Sequence, residues 1–248
     1  MSVALAKVPE ATLVFWVTKI LATTLGETAG DAVSMSMNLG YLAGTAIFAV
    51  VFLCAVSVQI ATKSFRPIVY WTTIVATTTV GTTLADYADR SLGIGYAGGT
   101  LVLLAALATS LLLWWVTLGS IAIDTVRSPR AELFYWTTIM FSQTLGTALG
   151  DWTADSARLG YGGAALVFGA VLVAIAVAYL WTTVSRTALF WAAFVVTRPL
   201  GAVVGDFLDK PVASGGLALS RNTASGVLVV AIASIVLLAP HRAAQRAH

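Results

Sequence analysis

The sequence predicts an all-α polytopic membrane protein. It reads as eight transmembrane helices from four tandem two-helix repeats in parallel orientation, polar odd-numbered helices inside and apolar even-numbered helices outside. Three observations carry this prediction. The chain of 248 residues is 58% hydrophobic and 10% charged, with a mean hydropathy of +0.89, whereas a soluble domain carries about 25% charged residues. Four uncharged stretches, 41–60, 96–118, 161–184 and 223–239, are long enough to cross a hydrocarbon core of about 30 Å, which takes roughly 20 residues. Finally, one phrase recurs four times: FWVTKILATTLGETAGD, YWTTIVATTTVGTTLAD, YWTTIMFSQTLGTALGD and FWAAFVVTRPLGAVVGD. Such periodicity specifies architecture before any single residue is read.

In each copy the phrase forms the first helix and the uncharged stretch forms the second. The four tryptophans at its second position, Trp16, Trp71, Trp136 and Trp191, are 55, 65 and 55 residues apart. The repeats therefore cover about 13–62, 67–118, 132–184 and 187–239 of a single membrane domain, 1–248. They group into halves 1–118 and 132–248, with a longer joint over 119–132. The first apolar segment belongs to the first repeat, so it is not expected to be a cleaved signal peptide. First helices carry Thr, Gly, Gln and charges, which are costly against lipid, and are therefore placed inside. The uniformly apolar second helices are placed outside.

Two spans per repeat bring every copy into the membrane from the same side. Lys7, Lys63, Arg66, Arg127, Arg130, Arg186, Arg242 and Arg246 fall on one side; Arg90, Arg158, Lys210 and Arg221 fall on the other, among seven aspartates. The excess of Lys and Arg marks the cytoplasmic side and places both termini there. The repeat tryptophans, with Trp114, Trp115 and Trp181, read as an interfacial belt towards the cytoplasm, and Tyr41, Tyr96 and Tyr161 as a belt on the opposite side.

With these residues in view, the chain resembles a family of bacterial membrane proteins described as four tandem repeats of unknown function, each with two spans and a tryptophan. The resemblance covers about residues 13 to 239. The fourth copy departs most, reading WAAFVVTRPLG, with Gly216 where the others have Tyr. The resemblance implies the architecture and a multi-pass location in the bacterial inner (plasma) membrane; it implies no activity.

Counted from each tryptophan, positions 3, 7, 11 and 15 fall on one helical face. These are Lys19, Thr23, Glu27 and Asp31; Ile74, Thr78, Thr82 and Asp86; Ile139, Gln143, Thr147 and Asp151; Phe194, Arg198, Ala202 and Asp206. Around a common axis they form a polar centre, closed towards the cytoplasm by Ile74, Ile139 and Phe194. Beside the stripe runs a row of small residues, Gly26, Gly81, Gly146 and Gly201 with a second row four residues on, read as the close-packing surface of the helices. Unpaired, the charges of Lys19, Glu27 and Arg198 would together cost on the order of 8–10 kcal/mol in the membrane. A closed ring makes repeats 1 and 4 neighbours and lets Glu27 reach Arg198. Pro199 is expected to interrupt a hydrogen bond midway along the seventh span.

The four aspartates lie at helix C-termini, where the dipole disfavours a carboxylate. A bound cation, Arg90, Arg158 or Lys210, or capping of a following turn would relieve them. As a set they form an outer vestibule, with second acids at Asp89, Asp155 and Asp209.

Both histidines, His241 and His248, lie in the C-terminal tail, which excludes a bis-histidine haem or a histidine-based catalytic centre in the membrane. Any metal would need oxygen ligands, and Asp31, Asp86, Asp151, Asp206 and Glu27 are the only ones placed to supply them. No cofactor is called for. A net charge of +3 argues against nucleic acid. Cys54 reads as a buried apolar filler.

The expected function is an inner-membrane secondary transporter or channel for a small ion or solute, by preference a cation, and not an enzyme. Its pathway would use Lys19, Thr23, Glu27, Thr78, Thr82, Gln143, Thr147 and Arg198. The alternative is a non-transporting scaffold or accessory subunit whose buried polar residues only specify packing. Partners are the lipid bilayer and the solute, and a homo-oligomer is compatible with the sequence.

Overall fold

A computed structural model describes residues 6–245; Arg246 and His248 lie outside them. The described chain is all-helical: α1 (Leu13–Asp31), α2 (Gly40–Ala61), α3 (Pro67–Asp86), α4 (Tyr96–Leu118), α5 (Pro129–Asp151), α6 (Gly160–Trp181), α7 (Arg186–Asp209) and α8 (Arg221–Leu238). Their starts are written locally. Thr12, Ser128 and Ser185 each accept a backbone N–H of the first turn through their side chains, satisfying donors a helix leaves free. Pro67 and Pro129 open α3 and α5, where a missing N–H costs nothing. α6 ends three residues before the expected 184, because Thr182 turns extended and Ser185 is committed to capping α7.

The odd-numbered helices form a closed ring, α1 on α3, α3 on α5, α5 on α7 and α7 on α1. The even-numbered helices lie outside, but each covers the inner helix of the next repeat: α2 on α3, α4 on α5, α6 on α7, and α8 back on α1. The packing unit is thus a permuted version of the sequence repeat, and ring closure depends on α8 returning to α1. Among the described residues, α2, α4, α6, α7 and α8 are long and apolar enough to cross a membrane. The other inner helices carry too much of the polar stripe to qualify by composition.

The glycine row explains how the ring closes so tightly. A Cβ on Gly26 would overlap Thr78, one on Gly146 would overlap Arg198, and one on Gly201 would overlap Thr23. On Gly81 it would come within 3.0 Å of the Gln143 backbone. Each glycine therefore seats the seventh-position residue of the following copy, and the fourth seats that of the first. Gly201→Ala would push on the Thr23 backbone, whose carbonyl carbon would lie 2.9 Å away. It is expected to destabilise the protein by about 1–3 kcal/mol, as overpacking does, read as a lower thermal unfolding midpoint in detergent.

Three of the four repeat tryptophans are not a lipid belt, and the fourth, Trp16, is half-buried. Trp71, Trp136 and Trp191 are buried, as is Trp114, while Trp115 and Trp181 are exposed. Each repeat tryptophan instead packs on the aromatic that opens the preceding copy. Phe15–Trp71, Tyr70–Trp136 and Tyr135–Trp191 have ring centroids 5.6, 5.7 and 6.1 Å apart, and Phe190–Trp16 closes the cycle at 5.6 Å. Offset and edge-on aromatic pairs of this kind add to simple burial. Tyr70 and Tyr135 share a hydrogen bond of 2.6 Å between their hydroxyls.

This tryptophan end of the ring is covered by chain outside the repeats. Lys7 N–H donates to the Val126 carbonyl at 3.1 Å, Glu10 N–H to Arg242 at 2.8 Å, and Ala244 N–H to Val8 at 2.8 Å. Val8, Val126, Ile123 and Ala244 join the same apolar core as the aromatic layer. The long joint between the halves is therefore packing material as well as a connection, and Trp191 Nε1 donates to its Ile121 carbonyl at 3.0 Å. Cys54, read from the sequence as buried, is exposed on α2.

Candidate functional site

Four layers of side chains fill the ring axis, one from each position of the polar stripe. Nearest the tryptophan end, Ile74, Ile139 and Phe194 share a layer with Lys19, all fully buried. The Lys19 ammonium lies 4.2 Å from the Phe194 ring centroid, a cation–π contact, and its Nζ has no hydrogen-bond partner. One turn on, Thr23, Thr78, Gln143 and Arg198 form a second fully buried layer. Thr23 Oγ1 donates within α1 and lies 3.2 Å from the Thr197 carbonyl of α7. Gln143 has neither amide atom matched, and Thr78 Oγ1 and Arg198 Nε are also unmatched.

The third layer is a knot. Arg198 Nη1 and Nη2 both donate to Glu27 Oε2 at 3.1 Å. Nη2 also lies 2.5 Å from Thr82 Oγ1 and against Thr147 Oγ1, the three acceptors sharing its two protons. Thr82 Oγ1 in turn lies 3.2 Å from the Gly26 carbonyl and 3.3 Å from Glu27 Oε2. One guanidinium thus joins residues of all four inner helices. α7 runs unbroken through Pro199, so the proline does not divide the span. It packs against Gly146 instead, where a Cβ would come within 3.0 Å of its ring.

In the fourth layer three of the aspartates end their α-helices, at the C-termini of α1, α3 and α5, but the chain does not leave the helix there. Asp31, Asp86 and Asp151 are each followed by a π-helical turn, Ala32–Ser36, Tyr87–Ser91 and Trp152–Ser156, and none caps it through its side chain. α7 continues three residues past Asp206 to Asp209. All four carboxylates are buried and cross-linked. Lys210 Nζ reaches Asp31 Oδ2 at 2.6 Å and Asp206 Oδ1 at 3.0 Å. Arg90 reaches Asp86 at 2.9 Å and Asp151 at 3.1 Å. Arg221 adds Asp209 at 3.1 Å and Asp31 at 3.6 Å. Burial pulls the Lys210 and Arg90 pKa values down, but the carboxylates around them more than reverse it, so both are held above their ordinary values.

Two acidic trios have carboxylate oxygens within 4.8 Å of one another: Glu27, Asp31 and Asp86, and Asp31, Asp206 and Asp209. The second is threaded by Lys210 and Arg221, and the first by Arg198 at Glu27, by Arg90 at Asp86 and by the same Lys210 and Arg221 at Asp31. The first is the arrangement with the donor set of a hard cation; Asp151 belongs to neither.

Of the basic partners the sequence offers, Arg90 and Lys210 meet aspartates, whereas Arg158 is exposed in a loop with φ 57°. Sequence reasoning missed Arg221, which opens α8, and the pair formed by Lys7 and Glu132, 2.5 Å apart and buried under the tryptophan end. Neither lies in the repeated phrase, so its symmetry gave no signal for them.

Residues 14–65, 69–120, 134–185 and 189–243 match the family model described as Repeat of Unknown Function (DUF347). No curated protein and no solved structure matches the chain.

Proposed function

The chain belongs to the DUF347 family of repeats of unknown function, whose copies fill most of its length, and on that premise we propose that it is an eight-span transporter or channel for a small ion or solute. α1, α3 and α5, at 19, 20 and 23 residues, run beside helices of spanning length. At 1.5 Å per residue each covers about 30 Å. Shielded by the outer helices, they can span the bilayer with a polar face. The excess of Lys and Arg in the loops orients the tryptophan end towards the cytoplasm, in the bacterial inner membrane that the family resemblance implies.

The observation that carries the reading is the Glu27–Arg198 knot. Ionisable residues at membrane depth mark ion and substrate pathways more often than packing devices, and this one lies on the axis with hydroxyls from two further helices. Opening the axis means separating Arg198 from Glu27, and a charged solute that replaces either partner lowers that cost. The oxygens of the Glu27–Asp31–Asp86 trio would favour a cation once Arg198, Arg90 and Lys210 move aside. The protein reconstituted in liposomes is expected to conduct or exchange at least one of K+, Mn2+, Cl− or H+, and Glu27→Gln to cut that flux at least tenfold. Absence of flux for every ion would leave the scaffold reading. One observation favours that second reading: the aspartates are answered by Lys210, Arg90 and Arg221 from the same chain, so the knot and the ring of ion pairs would then only specify how the helices meet.

A further inference from the structure

We propose that the interior of the ring holds a monovalent anion, bound by Lys19. Among the described residues, Lys19 is the fully buried charged side chain with neither an ion-pair nor a hydrogen-bond partner. The carboxylates that could answer it are committed elsewhere. On its own face the next acid is Glu27, two turns or about 12 Å further along the helix, and both Nη atoms of Arg198 converge on Glu27 Oε2. Towards the other end, Glu132 is paired with Lys7. Protonated, Lys19 would place on the axis between these pairs one positive charge that no carboxylate answers, with an aromatic face on one side, and a bound anion is what would hold it in that form.

The neighbouring layer supplies what an anion needs. Gln143 Nε2, Thr78 Oγ1 and Arg198 Nε have no acceptor, and Gln143 Oε1 no donor; their residues occupy the layer one turn, about 6 Å of helix rise, from that of Lys19. Three further elements face the ammonium. α7 brings Phe194 and Arg198, α3 brings Ile74 and Thr78, and α5 brings Ile139 and Gln143; none brings a carboxylate at these layers. A set of donors around a single excess charge selects a small monovalent anion over a cation or a divalent one. The inference does not rest on transport, since a fixed counter-ion and an ion in transit use the same donors.

The test is thermal unfolding of the purified full chain in chloride, bromide or nitrate against gluconate, at constant ionic strength. The wild-type midpoint is expected to rise saturably with the small anions, by roughly 5–10 °C at about 100 times Kd. Lys19→Met should abolish the rise and unfold in gluconate no earlier than the wild type. Gln143→Leu, which keeps the charge, should raise the apparent Kd about tenfold. If Lys19→Met does not accumulate, Gln143→Leu decides the matter by the same shift. A midpoint that is equal in all four salts overturns the proposal, because a neutral amine or an ordered water is indifferent to the anion. So does a Lys19→Met protein that keeps the wild-type response, or a Gln143→Leu protein with an unchanged Kd.

Discussion

Arg198→Met is expected to lower the unfolding free energy by about 3–5 kcal/mol, the usual cost of leaving a buried charge without its partner. The substitution conserves much of the volume but strips Glu27 Oε2 of two guanidinium donors and leaves the Thr82 and Thr147 hydroxyls without theirs. Combining it with Glu27→Leu should recover most of the loss, since exchanging a whole buried pair for apolar groups is commonly neutral or stabilising. The double-mutant cycle therefore has a large coupling term, measured as unfolding midpoints of the four proteins in one detergent. Liposome flux separates what the pair is for. If the pair only sets packing, the double variant is as stable as the wild type and as active. If it gates the axis, the same protein is stable and its flux is changed. An Arg198→Met protein as stable as the wild type would remove the energetic basis of both readings.

The polar faces were legible from helical period and their inward placement from polarity; that Glu27 meets Arg198 followed only on the condition that the ring closes. A residue every four positions marks a face, and four copies of a face with charges on it have only one place to hide. The glycine row was legible for the same reason. What the sequence could not show was which outer helix covers which inner one. α2 is joined to α1 through 32–39 and to α3 through 62–66, and both connections are short, so nothing local decides between them. The tryptophans were misplaced because an aromatic near the end of an apolar span has two stable positions: in the lipid interface, or against another ring. Only the circular pairing of Phe15 with Trp71, and so on round to Phe190 with Trp16, makes the second the lower in energy. The aspartate ring shows a different limit. Arg90 and Lys210 sit four residues after Asp86 and Asp206, a spacing at which opposite charges meet on a helix. Their second links, to Asp151 and Asp31, cross between helices and need the closed ring to be seen.

The other substitution with a large expected effect lies outside the repeats. Lys7 is almost fully buried, with Nζ 2.5 Å from Glu132 Oε1 and donating to the Ile60 and Thr62 carbonyls at 2.9 and 2.7 Å. Its ammonium does two things at once: it neutralises a buried carboxylate and caps the C-terminus of α2, where the helix dipole favours a cation. Lys7→Met removes both. The expected loss is about 3 kcal/mol, at the lower end for a broken buried pair, because Glu132 sits in the first turn of α5, where the dipole still favours its charge. Release should be local before it is global. Hydrogen exchange at the amides of Lys7, Glu10 and Ala244, which hold the terminal segments together, is expected to rise ahead of the ring helices. Because these segments cover the axis at the tryptophan end, the transport reading gives the variant a distinctive sign. Lys7→Met should lower stability and raise flux while leaving the Glu27–Arg198 pair in place. A Lys7→Met protein with faster terminal exchange but no gain in flux would mean that the cover is not what closes the axis, leaving that role to the layer of Ile74, Ile139 and Phe194.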